Sequence, residues 1–379
     1  MRRPAVMYQR ILKPIFRRNG QLFEELKQSS AANFAPCGTL PPFRSTIIPV
    51  VPLQLFDTQD LSLPMSQEKL DRSNQFFNDA KAFFRHIKAI RSDLNFSDLD
   101  LSDPDLRDPD LLMSKKRKKI RIVLLDTGID AEETRMEMAI DDGRINRAES
   151  KSFVDSPWDQ DDDMHGTNVA ELATRAAPTA EIIIGKICER RDKLEDVLPR
   201  LAKAIRWAVK EKEADVICLA LGYRTPDEAV ERAVDYAIAK RVLVVAPASN
   251  DDGLGERGSM NPPRLDDEKN FLTLGVGIDV LWKGETKLKS GTSFAAPIAA
   301  GFIACMLEFI TDKVTDLSAV QVKKLKRKKG MEAILRKMSK KVYVGGKHYF
   351  IHPQNMCDWE RADAVQRAVS RVKEALRDV

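Results

Sequence analysis

Cysteine is scarce in this chain. The 379 residues hold five, an odd number spread from Cys37 to Cys357 with no CxxC pair, which gives no basis for a disulfide framework or a zinc site. Cys188, Cys218 and Cys305 lie in apolar stretches, where a thiol serves as a small buried hydrophobe. A reducing, cytoplasmic setting is therefore expected. An excess of one charge is also missing. With 62 basic and 57 acidic residues the net charge is +5, too even to point to nucleic acid or a membrane as partner. The first thirty residues lack the apolar run of a secretory signal. Their Arg2, Arg3, Arg10, Lys13, Arg17 and Arg18 make a mitochondrial address the alternative, although so few serines fit a solvated helix better. The long apolar stretch Phe294–Ile310 is interrupted by Pro297 and Glu308 and starts on the polar GTS, so it reads as a buried central helix rather than a membrane span.

Hydrophobic content of 43% with 31% charged residues fits a soluble globular protein with polar appendages. Residues 1–118 have no strand–helix alternation, but 66–91 carry Phe76, Phe77, Phe83, Phe84 and Ile87 on one face of an amphipathic helix. SDLDLSDPDLRDPDLL and then SKKRKK come next as an acidic and a basic linker. From Ile120 the texture changes. Apolar β-branched runs at 120–125, 182–187, 216–221 and 242–246 are separated, after the second, by helical patterns. Continuous apolar strands between helices predict an α/β fold with a mostly parallel sheet covered on both faces. The basic run KKLKRKKG at 323–330 reads as a solvated helix ending at Gly330, with a helix, a hairpin (KVYVGGKHYFI) and a charged terminal helix beyond it.

Three short segments carry the chemistry: VLLDTGID around Asp126, MHGTNVAELA around His165 and SGTSFAAPIAAG around Ser293. Each lies where a strand ends or a helix begins. A serine hydroxyl needs a base to take its proton, and a helix N-terminus supplies N–H groups near a developing oxyanion. Among four histidines, His86, His348 and His352 read as satisfied structural residues, whereas His165 precedes a glycine and a helix start. Asp126 ends a buried strand, where a carboxylate needs a positive or N–H partner. Asp141, Asp142, Asp161, Asp162 and Asp163 have no spacing diagnostic of an ion site, so no metal and no cofactor is assigned.

Together the segments resemble those of the subtilisin-like (S8) serine peptidases, whose triad runs Asp, His, Ser along the chain, and most of all the intracellular domains of this kind in fungal multidomain proteins. The resemblance covers roughly 119–310. It implies a subtilisin-like three-layer sandwich preceded by a largely helical N-terminal region. The organisation expected is a partly helical region at 1–95, a linker at 96–118, the peptidase domain at 119–310 and basic helices with a hairpin at 311–379. By the same resemblance Asp126, His165 and Ser293 form the triad of an endopeptidase acting through an acyl-enzyme. Asn250, after VLVVAPAS, supplies an oxyanion donor, and Ala220, Leu221 and Gly222 form an edge of the cleft for a polypeptide substrate.

The match departs in three places. Met164, Asn168 and Glu171 replace residue types that the family favours around the histidine. Only 43 positions separate Asn250 from Ser293, as though two family segments had been joined and a sheet strand lost. Residues 1–118 do not resemble the family's inhibitory prodomain, so control would fall to a regulatory protein or to the N-terminal region itself. The competing reading is a catalytically impaired pseudoprotease that binds peptides or signals.

Overall fold

The computed structural model describes residues 48–52, 67–92, 118–190, 197–220, 227–247, 271–282, 284–314, 317–343, 347–377 and 379. All of them fall in one compact unit, Ser45–Val379. In chain order the elements are β1 (Ile48–Pro52), α1 (Gln67–Asp79), α2 (Lys81–Ser92), β2 (Arg121–Asp126), α3 (Thr134–Asp141) and β3 (Lys151–Ser152). Next come α4 (His165–Ala176), β4 (Glu181–Lys186), α5 (Leu198–Lys210), β5 (Val216–Leu219), α6 (Glu228–Ala239), β6 (Leu243–Pro247) and β7 (Phe271–Thr273). The chain continues with β8 (Ile278–Trp282), β9 (Glu285–Lys289), α7 (Thr292–Lys313), α8 (Ala319–Leu325), α9 (Lys328–Lys337), β10 (Ser339–Tyr343), β11 (Lys347–Ile351) and α10 (Ala364–Arg377).

The central sheet runs β10-β11-β7-β1-β6-β5-β2-β4-β3, and only the β10–β11 pair is antiparallel. Strands β2, β4, β5 and β6 are apolar on both faces because both faces are covered there. Ile122 and Leu124 of β2 pack with α4 and α7, while Val123 and Leu125 pack with α5 and α6. The result is the expected three-layer α/β sandwich. Helix α7 passes through one layer with nearly its whole length buried, so its apolarity is explained by the core. From β2 the chain builds outward to β4 and β3 on one side and to β5 and β6 on the other. That makes β2 the point where strand order reverses, and its carboxyl end, Asp126, is where such sheets open a crevice.

Three features differ from the sequence expectation. The helix expected over 66–91 is two helices that turn at Ala80. Gly330 does not end a helix. It lies in the first turn of α9, where any Cβ would stand 2.1 Å from the Lys324 carbonyl, so α9 packs tightly onto the end of α8. The third is the N-terminal region. Strand β1 joins the sheet between β6 and β7, with Val50 in register with both Pro247 and Phe271. Two prolines in a five-residue segment argue against a central strand, and this hid it from a pattern reading. Helices α1 and α2 then pack on α7 and the C-terminal elements. Phe83 and Ile87 are fully buried, the Phe83 ring lies 4.9 Å from that of Trp359, and Arg91 pairs with the buried Glu308 of α7.

If α1 and α2 belong to the same cooperative core, Phe83→Ala costs about 3–5 kcal/mol. The urea midpoint of the whole unit then falls in a single transition. An unchanged main midpoint with a separate early transition would mean that these helices form an appendage.

Candidate active site

Asp126 and His165 are brought together by a strand end and a helix start. The His165 Nδ1–H donates to Asp126 Oδ1 at 2.8 Å, both side chains being almost wholly buried. Because a carboxylate only accepts, a proton sits on Nδ1, which in the neutral form of the ring leaves Nε2 as the acceptor. That nitrogen is buried and has no hydrogen-bond partner among the described residues. Asp126 Oδ1 also accepts from the Thr127 N–H at 2.8 Å and the Thr127 hydroxyl at 3.2 Å.

The approach is possible because residue 166 is glycine. A Cβ there would stand 2.1 Å from the Gly128 carbonyl, so only glycine lets the first turn of α4 rest on the turn after β2. The Gly166 N–H donates to the Thr127 hydroxyl at 2.9 Å, tying helix to strand directly. On the other side Asp161 caps the same helix. Its Oδ1 accepts from Met164 N at 3.0 Å and its Oδ2 from the Thr167 N–H and hydroxyl at 2.9 and 2.7 Å. Burial pushes the Asp161 carboxyl above the usual carboxylate range, and the Thr167 hydrogen bonds oppose that rise. The bonding roles of Thr127, Asp161 and Thr167 were not read from the sequence, where Asp161 stood only among acids without the spacing of an ion site. The threonines flank each glycine motif (DTG and HGT), which is the signal that could have found them.

The residues that depart from the family pattern have partners here. Met164 adopts φ 60, a left-handed conformation costly for a non-glycine residue, and is held there from two sides. Asp161 takes its N–H, and the Asn168 side chain donates to its carbonyl at 2.5 Å. The same amide donates to the Leu281 carbonyl of β8 at 3.1 Å. Glu171, buried in α4, pairs with Arg135 of α3 and lies 3.8 Å from Arg175. Burial raises its carboxyl pKa, and the two arginines oppose the rise. Arg175 continues to Asp279 at 3.3 Å, and its guanidinium lies 4.0 Å from the Phe77 ring centroid.

Ser293 stands in the first turn of α7, partly exposed between the buried Thr292 and Phe294. The Phe294 ring lies 5.6 Å from the imidazole, centroid to centroid, so this helix start abuts His165. No hydrogen bond joins the Ser293 hydroxyl to the ring among the described residues. Pro297 lacks the N–H that would return to the Ser293 carbonyl one turn back. Ala220 is buried just past the end of β5. Leu221, Gly222 and Asn250 lie outside the described residues. A cavity of about 640 Å3 lined by Asp130, Glu132, Asp141, Asp161 and Asp162, among others, includes none of the three motif residues. Among the described residues no group of three or more His, Cys, Asp or Glu side chains is placed to hold a metal ion.

Comparison with known proteins bears on this site. Residues 117–276 match the peptidase S8, or subtilase, family. The chain is 32% identical over 181 residues to subtilisin-like protease het-Q2 of Podospora anserina, covering 38% of this chain and 49% of that protein. It is 30% identical over 213 residues to subtilisin-like protease 3 of Pseudogymnoascus destructans, covering 48% and 51%. The chain thus spans about half the length of these two fungal relatives. Subtilisin DY of Bacillus licheniformis is 26% identical over 241 residues, 55% of this chain and 82% of that one. Among solved structures, the prenylagaramide maturation protease PagA aligns with a TM-score of 0.48 at 20% identity, covering 71% of this chain and 99% of that one.

The Asp161 environment gives a sign that can be checked. Because its folded pKa is raised above the ordinary value of about 3.9, the folded chain keeps a proton that the unfolded chain loses. Stability from this group is present below that pH and is lost as pH rises through the raised value. The cost of Asp161→Asn, read from urea midpoints, therefore shrinks between pH 4 and pH 7. A cost that grows over that interval would mean that the carboxylate is stabilised by folding.

Proposed function

Because residues 117–276 match the subtilase family, we propose that the chain is a serine endopeptidase with Asp126, His165 and Ser293 as its triad. The observation that carries this reading is the 2.8 Å bond from the His165 Nδ1–H to Asp126 beside an Nε2 with no other partner among the described residues. The Ser293 Oγ attacks the scissile carbonyl carbon while Nε2 accepts its proton. Asp126 keeps the imidazole in the tautomer that can accept and then steadies the imidazolium. The negative oxygen is met by the Ser293 N–H at the start of α7 and, in this proposal, by the Asn250 side-chain amide. His165 returns its proton to the leaving amine as the C–N bond breaks. Water, deprotonated by the same nitrogen, then hydrolyses the ester. The substrate is an exposed polypeptide in extended form, paired along the edge at Ala220, Leu221 and Gly222. A cytoplasmic setting is part of the proposal and is supported by the buried thiols of Cys188, Cys218, Cys305 and Cys357, none of them in a disulfide.

One feature favours the pseudoprotease reading: the 43 positions between Asn250 and Ser293, short for an oxyanion strand and a full pocket. A fluorophosphonate probe separates the two. The full chain is expected to label covalently, with labelling lost in Ser293→Ala and slowed by about 10⁴-fold or more in His165→Ala. Folded chain with no Ser293-dependent labelling would remove the enzyme reading and leave the pseudoprotease.

A further inference from the structure

The strands β6 and β7 follow one another among the described elements of the family-matched stretch, yet they do not pair. Strand β1, from well before that stretch, lies between them and is parallel to both. Neighbouring strands are about 4.8 Å apart, so β6 and β7 stand roughly two spacings apart, and without β1 they could close to one. Both strands lead to the site. β6 ends at Pro247, three residues before Asn250 in sequence. Just past the end of β7, the Gly275 carbonyl accepts from Gly291 N at 2.8 Å, and Gly277 N donates to the Ser290 hydroxyl at 3.0 Å. Those two bonds fix the entry to α7, where Ser293 stands two residues after Gly291.

We propose that residues 48–52 are a spacer strand, a positioning element that sets the distance between the chain leading to Asn250 and the chain leading to Ser293. The proposal rests on the serine endopeptidase reading. The spacer is lightly bonded. Pro49 and Pro52 have no N–H to give to the ladder, nor has Pro247 of the neighbouring strand. It also packs against α7, and the next two described elements along the chain, α1 and α2, are tied to the same core. The Ser73 hydroxyl donates to Asp279 at 3.3 Å, the Phe76 carbonyl contacts His352 Nε2 at 3.0 Å, and Arg91 pairs with Glu308. The described N-terminal elements β1, α1 and α2 are thus a built-in part of the site's frame.

The test uses the full chain and Val50→Pro, which removes an N–H from the centre of β1. Misplacing a reacting group by about 1 Å costs about 10²-fold, so fluorophosphonate labelling of Ser293 should slow by at least that factor. In peptide hydrolysis kcat should fall with KM little changed, because β5, which ends at the substrate edge, lies on the far side of β6. Hydrogen exchange of the wild-type chain gives a reading independent of activity. The Ile48, Val50 and Val51 amides should exchange in the same slow class as Val245 and Leu272. Folded Val50→Pro that labels as fast as wild type would overturn the positioning role alone. Exchange of the 48–52 amides at unprotected rates would overturn the strand itself, and would decide the matter if Val50→Pro did not fold. A wild-type chain that shows no Ser293-dependent labelling would overturn the enzyme reading and the positioning role with it, whatever the exchange result.

Discussion

The hydrogen bond from His165 to Asp126 depends on one close approach: the first turn of α4 resting against the turn after β2. The absent Cβ at Gly166 permits it, and the Thr127 hydroxyl fastens it by accepting from the Gly166 N–H and donating to Asp126. Two buried polar side chains are expensive unless each completes the other's bonding. Here one carboxylate oxygen accepts from three donors among the described residues, while the imidazole gains a fixed tautomer and keeps one nitrogen able to accept. The left-handed Met164, capped by Asp161 and braced by Asn168, is the local cost of turning the chain into the helix at that point.

Around this contact the layers act as a frame. Glu171 and Arg175 on α4 reach α3, the β8 strand and the ring of Phe77 on α1, so the helix that begins with His165 is held on three sides. Helix α7 packs along α4, and its first turn brings Phe294 to the imidazole. Elements from before the family-matched stretch take part in this frame through α1, α2 and β1. Elements after it do so through Trp359, His352 and the β10–β11 hairpin, which extends the sheet beyond β7.

The sequence made the central layer legible because its strands are continuous β-branched runs. Each of the four predicted runs coincides with β2, β4, β5 or β6 to within two residues. The placement of Asp126, His165 and Ser293 at element ends was legible because glycine and small residues mark those ends. Strand β1 was not, since its two prolines hide it and its partners lie about 200 residues or more further along the chain. Nor was the capping role of Asp161, which looked like one of several surface acids until its carboxylate was seen against Met164 and Thr167. A long-range pairing leaves no local periodicity to read, and a buried cap differs from a solvated acid only in what stands opposite it.

The proton held between His165 and Asp126 is the centre of the site, and proton NMR of the full chain with labelled histidine observes it directly. One Nδ1–H resonance is expected far downfield, protected from exchange, absent in His165→Ala and shifted in Asp126→Asn. A spectrum in which no histidine N–H is protected, or in which the protected one is indifferent to Asp126, would contradict the pairing.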